Sequence, residues 1–273
     1  MSKIAVKTQG KRREPKKVIE TDYSKFNLEL CTRLAGISSA SYRGQKVFQH
    51  HIRALDMPDH QYELISIENA QVYLVWNAKE LIISWRGTEP KEWKDITADL
   101  KFRKQLGNFG KVHRGFKGYV DKVWPKLKEK VKTLTNGRWM KIYITGHSLG
   151  GAAATICTQR LEEDYHVTAC YTYGAPRPGG YKFAFGFKTP VFRVRNNNDL
   201  VTKVPLAIMG YKHVGKMCYI DTKGTLRTGR VGWTTLFKNW VRGQFSRIGD
   251  GVRDHNITEY FELLKNAKRI HKQ

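Results

Sequence analysis

Apolar positions fall into two kinds of run along this sequence. Between 24 and 40, Phe26, Leu28, Leu30 and Leu34 recur at a spacing that suits one face of a helix. Three compact runs follow, Gln61–Ile67, 71–76 and Glu80–Trp85, rich in Ile, Val, Leu and Tyr. They predict strands, and the polar breaks Glu68-Asn69-Ala70 and Asn77-Ala78-Lys79 divide them as hairpin turns would. Residues 87–113 are polar and punctuated and read as one long connection, a kind of segment that is usually functional or unstructured.

Further on, the two periods alternate. A helix is predicted over 115–134, kinked at Pro125. Strand 140–145, helix 149–162, strand 166–173, short helix 181–187 and strand 190–195 come next. Strand 211–221 and helices 231–245 and 255–267 complete the series. Strands alternating with helices predict an α/β fold, with a largely parallel sheet and helices on both faces. With no internal repeat and no linker, residues 21–273 read as one domain behind a basic tail, 1–20, that is expected to be disordered.

Composition narrows the class. The 273 residues are 40% hydrophobic and 12% aromatic, enough for a sizeable core. No apolar run is long enough to predict a spanning helix. The first 17 residues have no apolar stretch of the kind a secretory leader carries, so a cytoplasmic location is expected, with peripheral contact to a membrane. Cys31, Cys157, Cys170 and Cys218 form no C-x-x-C pair, so zinc and redox motifs are absent and four reduced, buried thiols are expected.

Lys and Arg total 49 against 24 Asp and Glu, a formal net charge of +25. The excess is densest in 1–17, 101–117 and 222–253. Such surfaces attract polyanions, either nucleic acid or an anionic bilayer. No zinc finger, RRM or helix-turn-helix signature accompanies the charge.

The chemistry is concentrated after the strand at 140–145, in Gly146-His147-Ser148-Leu149-Gly150-Gly151. This is G-x-S-x-G between a predicted strand and a predicted helix. A serine on so tight a turn projects its hydroxyl beyond the sheet, and only glycine fits two residues before and after it. The helix N-terminus beneath favours developing negative charge. Ser148 is therefore the candidate nucleophile, with Gly146 and Gly150 as its elbow glycines.

A serine needs a base, and in this topology an acid and then a histidine follow it along the chain. Asp199 leaves the strand at 190–195 through Asn196-Asn197-Asn198 and fits the acid; Asp164 and Asp221 fit less well. His255, just before the last helix, fits the base better than His213, His271 or His166. The oxyanion donors are expected to be the N–H of Leu149 and, from the turn after Glu80–Trp85, Thr88, with Gly87 allowing close approach.

These pieces occur in a recognisable order. Arg86-Gly87-Thr88, Trp93, Asp99-Leu100, His113-x-Gly115-Phe116 and Thr145-Gly-His-Ser-Leu-Gly-Gly-Ala152 come first. Tyr173-Gly-Ala-Pro-Arg177, Asn198-Asp199-Leu-Val201 with Pro205, and His255-x-x-x-x-Tyr260 follow. The set resembles the class 3 lipases, α/β-hydrolases that include fungal triacylglycerol lipases, feruloyl esterases and plant phospholipases A1. The resemblance covers about 24–270 and implies Ser148 as nucleophile, Asp199 as acid, His255 as base, and Thr88 and Leu149 as the oxyanion hole. It also implies a lid over 89–96 with Trp93 on its apolar face.

The reaction expected is hydrolysis of acylglycerol or phospholipid esters through an acyl-enzyme, with no metal or organic cofactor. Trp233, Leu236, Phe237, Trp240 and Val241 share one face of the helix predicted at 231–245, with Lys238 and Arg242 off that stripe, which suits a bilayer interface as well as a core. A nucleic-acid-binding protein on an inactive hydrolase scaffold, and a peptidase or thioesterase with the same triad, are the rival readings.

Overall fold

The computed structural model describes residues 25–88, 103–228 and 253–270, with backbone alone for 268–270. Two helices come first, α1 (Leu28–Ala40) and α2 (Gln45–Ala54). Asn27 starts α1 by accepting a hydrogen bond from the Leu30 N–H at 2.9 Å. The sequence pattern missed α2, which buries only Phe48 and Ile52, one helical turn apart and too sparse to stand out.

Strands β1 (Gln61–Ile67), β2 (Ala70–Trp76) and β3 (Glu80–Trp85) form an antiparallel meander. The turn into β3 is held by Asn77, whose side-chain oxygen accepts from the N–H groups of Lys79 and Glu80. The connection predicted at 87–113 is not irregular throughout, because β4 (Lys104–Gly107) and β5 (Gly110–His113) form a hairpin in it. Helix α3 (Arg114–Thr135) then runs on as one helix that includes Pro125. His113 caps it by accepting from the N–H groups of Gly115 and Phe116 at Nδ1.

The alternating part contains β6 (Lys141–His147), α4 (Leu149–Leu161), β7 (Val167–Tyr173), α5 (Tyr181–Phe185) and β8 (Val191–Asn196). It closes with β9 (Lys216–Ile220), β10 (Thr225–Thr228), α6 (Ile257–Lys265) and β11 (Lys268–Ile270). The strand predicted at 211–221 begins only at 216. Gly215 breaks it at φ +77°, in a spot where a Cβ would lie 2.2 Å from the Val191 carbonyl oxygen. The last helix begins at Ile257, because Asn256 caps it through the Thr258 N–H, which leaves His255 on a loop.

Nine strands form one sheet in the order β1-β2-β3-β6-β7-β8-β9-β10-β11. From β3 through β9 the neighbours are parallel. Alternate residues feed two cores. Val72, Leu74, Ile83 and Ile144 face α3 and α4, whereas Tyr73, Val75, Phe192 and Val194 face α1, α2 and α6. Each such fully buried side chain contributes about 1.5–3 kcal/mol. The four cysteines are buried and free. No helix among the described residues is long and apolar enough to cross a membrane. The 1–20 tail, the lid at 89–96 with Trp93, and the helix predicted at 231–245 lie outside the described residues.

Candidate active site

Ser148 occupies the one-residue joint between β6 and α4, at φ 59° and ψ −128°. Such a backbone is costly for an L-residue and persists only where the surroundings enforce it. The glycines do so. A Cβ on Gly146 would lie 2.3 Å from the Gly150 carbonyl oxygen, and one on Gly150 would lie 2.2 Å from that of Trp85. Gly151 and Ala152 to Ala154 are fully packed, which lets α4 press against the sheet. The Ser148 N–H donates to the Tyr173 carbonyl at 3.0 Å, tying the turn to β7.

Two distant segments meet this serine. His255 Nε2 is 2.9 Å from Ser148 Oγ. On its other side, His255 Nδ1 is 3.0 Å from Asp199 Oδ2 and 3.1 Å from Oδ1. An ionised carboxylate only accepts, so Nδ1 carries the proton and Nε2 is left to accept from the serine hydroxyl. Asp199 is fully buried. Its Oδ1 accepts from the Val201 N–H at 2.9 Å, and its Oδ2 from the Tyr260 hydroxyl at 2.6 Å. Gly174, at φ +55°, borders the pair, and a Cβ there would fall 2.6 Å from Asp199 Oδ2.

The loop after β8 is fastened to the loop bearing His255. Asp254 Oδ2 accepts from Asn197 Nδ2 at 3.1 Å and from the Asn198 N–H at 3.0 Å, and its carbonyl accepts from Asn196 Nδ2. His147 braces the base from behind. Its Nε2 donates to the His255 carbonyl at 2.7 Å, so its Nδ1 accepts from the Tyr42 hydroxyl at 2.8 Å. Burial, and then the neighbouring His255, hold the His147 pKa well below its ordinary value. It stays neutral beside the reacting groups.

Leu149 opens α4, where the first N–H groups of a helix lack partners within it. A Cβ on Gly87 would come within 3.2 Å of Ser148 Cβ, so the chain leaving β3 passes beside the serine just before Thr88. Thr88 Oγ1 is buried with no hydrogen-bond partner among the described residues. It is a donor with nothing yet to bind.

The alternatives lie elsewhere. Asp164 pairs with Lys128 at the surface, and Asp221 holds Arg227 and its own turn. His166 is exposed, and His213 is surrounded by arginines, with its pKa pushed well down by burial and by their charge. His271 is outside the described residues. Among the described residues, no group of three or more His, Cys, Asp or Glu is placed to hold a metal ion.

Sequence reasoning overlooked what Tyr260, His147, Tyr42 and Asp254 do here. Tyr260 carried a usable signal, since it stands five residues after His255 in the first turn after the Asn256 cap. Tyr42 carried none, being 105 residues from its partner.

Residues 82–209 match the family described as Lipase (class 3). The chain is 33% identical over 150 residues to secreted mono- and diacylglycerol lipase 1 of Fusarium solani, a match spanning 52% of this chain and 44% of that protein. It is 30% identical over 219 residues to the chloroplastic phospholipase A1-Igamma1 of Arabidopsis thaliana, spanning 59% and 41%. The propeptide complex of a Rhizomucor miehei lipase deletion mutant superposes with a TM-score of 0.61 at 26% identity, over 71% of this chain and 66% of that one. The chain spans about half or less of the length of the curated relatives it matches.

Proposed function

We propose, from the match of residues 82–209 to the class 3 lipase family, that the chain hydrolyses the carboxylic esters of acylglycerols or phospholipids. The observation that carries this reading is the unbroken line from Ser148 Oγ through His255 to Asp199. Related proteins are named mono- and diacylglycerol lipase and phospholipase A1, which supports glycerol-based esters as the substrate class. The nucleic-acid-binding reading finds no support in these comparisons.

In this mechanism the Ser148 hydroxyl attacks the ester carbonyl as its proton passes to His255 Nε2. Asp199 holds the imidazole in the required tautomer and stabilises its cation. The Leu149 N–H and Thr88 receive the oxyanion. His255 returns the proton to the leaving alcohol, and a water activated by the same nitrogen releases the acid. No step needs a metal or an organic cofactor.

The surface beside the site suits a lipid interface. Leu200, Leu206, Ile208 and Met209 are exposed on the loop after Asp199, Ile208 at 90%. Lys212 is exposed along the same stretch, which favours an anionic leaflet. This reading makes the protein a peripheral visitor to membranes.

The test is Ser148→Ala, assayed on esters of increasing acyl length and on phospholipid vesicles. Hydrolysis falls by about 10⁴-fold or more while the fold is kept. Activity close to that of the parent chain would overturn the reading.

A further inference from the structure

A second concentration of charge lies behind the loop that carries Asp199. Along β8, Phe192 and Val194 face the α1 and α6 layer, so Arg193 and Arg195 project from the opposite face, two residues apart. Arg193 is only 9% exposed. Its neighbours in register are Thr172 on β7 and Met217 on β9, and Arg195 is opposite Tyr219. None of these supplies a carboxylate.

The segments after β7 and β8 bring further cations, whose charges act on those of the two arginines. The Arg177 N–H donates to the Val204 carbonyl at 2.8 Å, and its Nη1 donates to the carbonyls of Lys203 and Pro205. The bridge between Gly179 and Lys212 draws His213 to the same side. Arg177, Arg195, Lys203 and His213 are each partly exposed, so a small ion can reach them from solvent.

Among the described residues, none of Arg177, Arg193, Arg195 or Lys203 has a carboxylate within ion-pair distance. The Nε atoms of Arg193 and Arg195 and the Nδ1 atom of His213 are buried without a hydrogen-bond partner. Asp199 is felt by Lys203, but its oxygens are occupied by His255, Tyr260 and the Val201 N–H. Burial and then the Arg195 charge lower the pKa of Arg177, Lys203 and Arg193, the last to about 10. Like charges gathered out of water are costly unless a counter-charge joins them.

We infer that Arg177, Arg193, Arg195 and Lys203 form a binding site for a phosphoryl oxyanion, with His213 in its wall. Guanidinium groups offer paired N–H donors that match the oxygens of a phosphate. A phosphate monoester brings close to two negative charges and several acceptors, whereas chloride brings one charge and no geometry. The site is separate from the proposed ester hydrolysis, and its occupant is either free phosphate or the headgroup of a phosphatidic-acid-type lipid.

The experiment is thermal unfolding of the full chain in inorganic phosphate and in chloride at matched ionic strength. Phosphate raises the midpoint saturably, by about 2–4 °C or more. Arg195→Gln and Lys203→Gln each lose most of that shift. Met217→Glu, which sets a carboxylate in register with Arg193, raises the midpoint in chloride and abolishes the response to phosphate. A short-chain phosphatidic acid with ether-linked tails separates the sources. If it acts at tenfold lower concentration than phosphate, the headgroup is the occupant, and if only phosphate acts, the free ion is. Equal midpoints in phosphate, ether lipid and chloride would overturn the proposal, as would a phosphate shift that survives intact in both glutamine variants or in Met217→Glu.

Discussion

The Tyr260 hydroxyl donates to Asp199 Oδ2 at 2.6 Å and accepts from the Asn196 N–H at 2.9 Å. One phenol thus joins the final helix, the end of β8 and the buried carboxylate. Burial, and then the charge of Asp199, push the Tyr260 pKa well above its ordinary value, so it remains a donor. Tyr260→Phe keeps the ring and removes both bonds. The cost is about 2 kcal/mol, or a fall of roughly 4–8 °C in melting temperature. Ester turnover falls about tenfold as Asp199 loses its fixed orientation. Calorimetry and steady-state kinetics check both, and a variant matching the parent in both would refute the role.

Thr88 separates two ways of stabilising an oxyanion. Its hydroxyl is buried and unpartnered among the described residues, so it is available to the reacting oxygen. Thr88→Ser keeps kcat within a few-fold. Thr88→Val lowers kcat by about 10²–10³ with little change in KM, because the lost donor acts only in the transition state. If valine is as active as serine, the backbone N–H alone carries the function.

Ile208, 90% exposed on the loop after Asp199, reports on contact with lipid. Ile208→Asp lowers hydrolysis of anionic vesicles about tenfold and leaves a soluble short-chain ester within twofold. Equal losses on both substrates would place Ile208 in the catalytic pocket instead of at a membrane.

Acid weakens the fold through histidines kept neutral. His113 is 2% exposed, and burial lowers its pKa to about 4. In the unfolded chain it titrates near 6.5. Below about pH 6.5 the unfolded state therefore takes up a proton that the folded state refuses. The stability this histidine confers is fully present above that pH. It is lost at about 1.4 kcal/mol per unit as the pH falls toward 4. His147 and His213, also pushed down by burial, act in the same direction. His113→Asn keeps a capping acceptor for α3 and removes one share of the loss, about 3 kcal/mol across that window. Urea unfolding at pH 7.5 and 4.5 measures it, and an unchanged difference would contradict the assignment.

Some of this architecture could be read before any coordinates. The strand bounds Gln61–Ile67 and Glu80–Trp85 come from compact runs rich in Ile, Leu and Tyr between polar breaks, and the glycines around Ser148 announce a turn that tolerates no side chain. The chain order of Ser148, Asp199 and His255 placed three candidates that the fold brings into contact. Other parts were hidden for physical reasons. Helix α2 buries two residues, β10 is four residues long with one fully buried, and the β4–β5 hairpin keeps most of its side chains at the surface. Periodicity reports burial, so elements that bury little leave no trace. The supports of the site were hidden for another reason. Asp254, Tyr42 and His147 act through contacts across 56 to 108 residues, and although His147 stands beside Ser148 in the motif, nothing local shows which partners any of the three will meet.

The partners of Ser148 arrive late along the polypeptide, since 107 residues separate it from His255. On a ribosome the serine leaves the tunnel well before the imidazole is made. Its strained elbow can form around β6 and α4, yet it holds only an unassisted alcohol. Chemistry waits until Asp254 meets the asparagines after β8 and carries His255 into place. On the proposed reading, a nascent copy that lacks His255 is harmless to the esters around it.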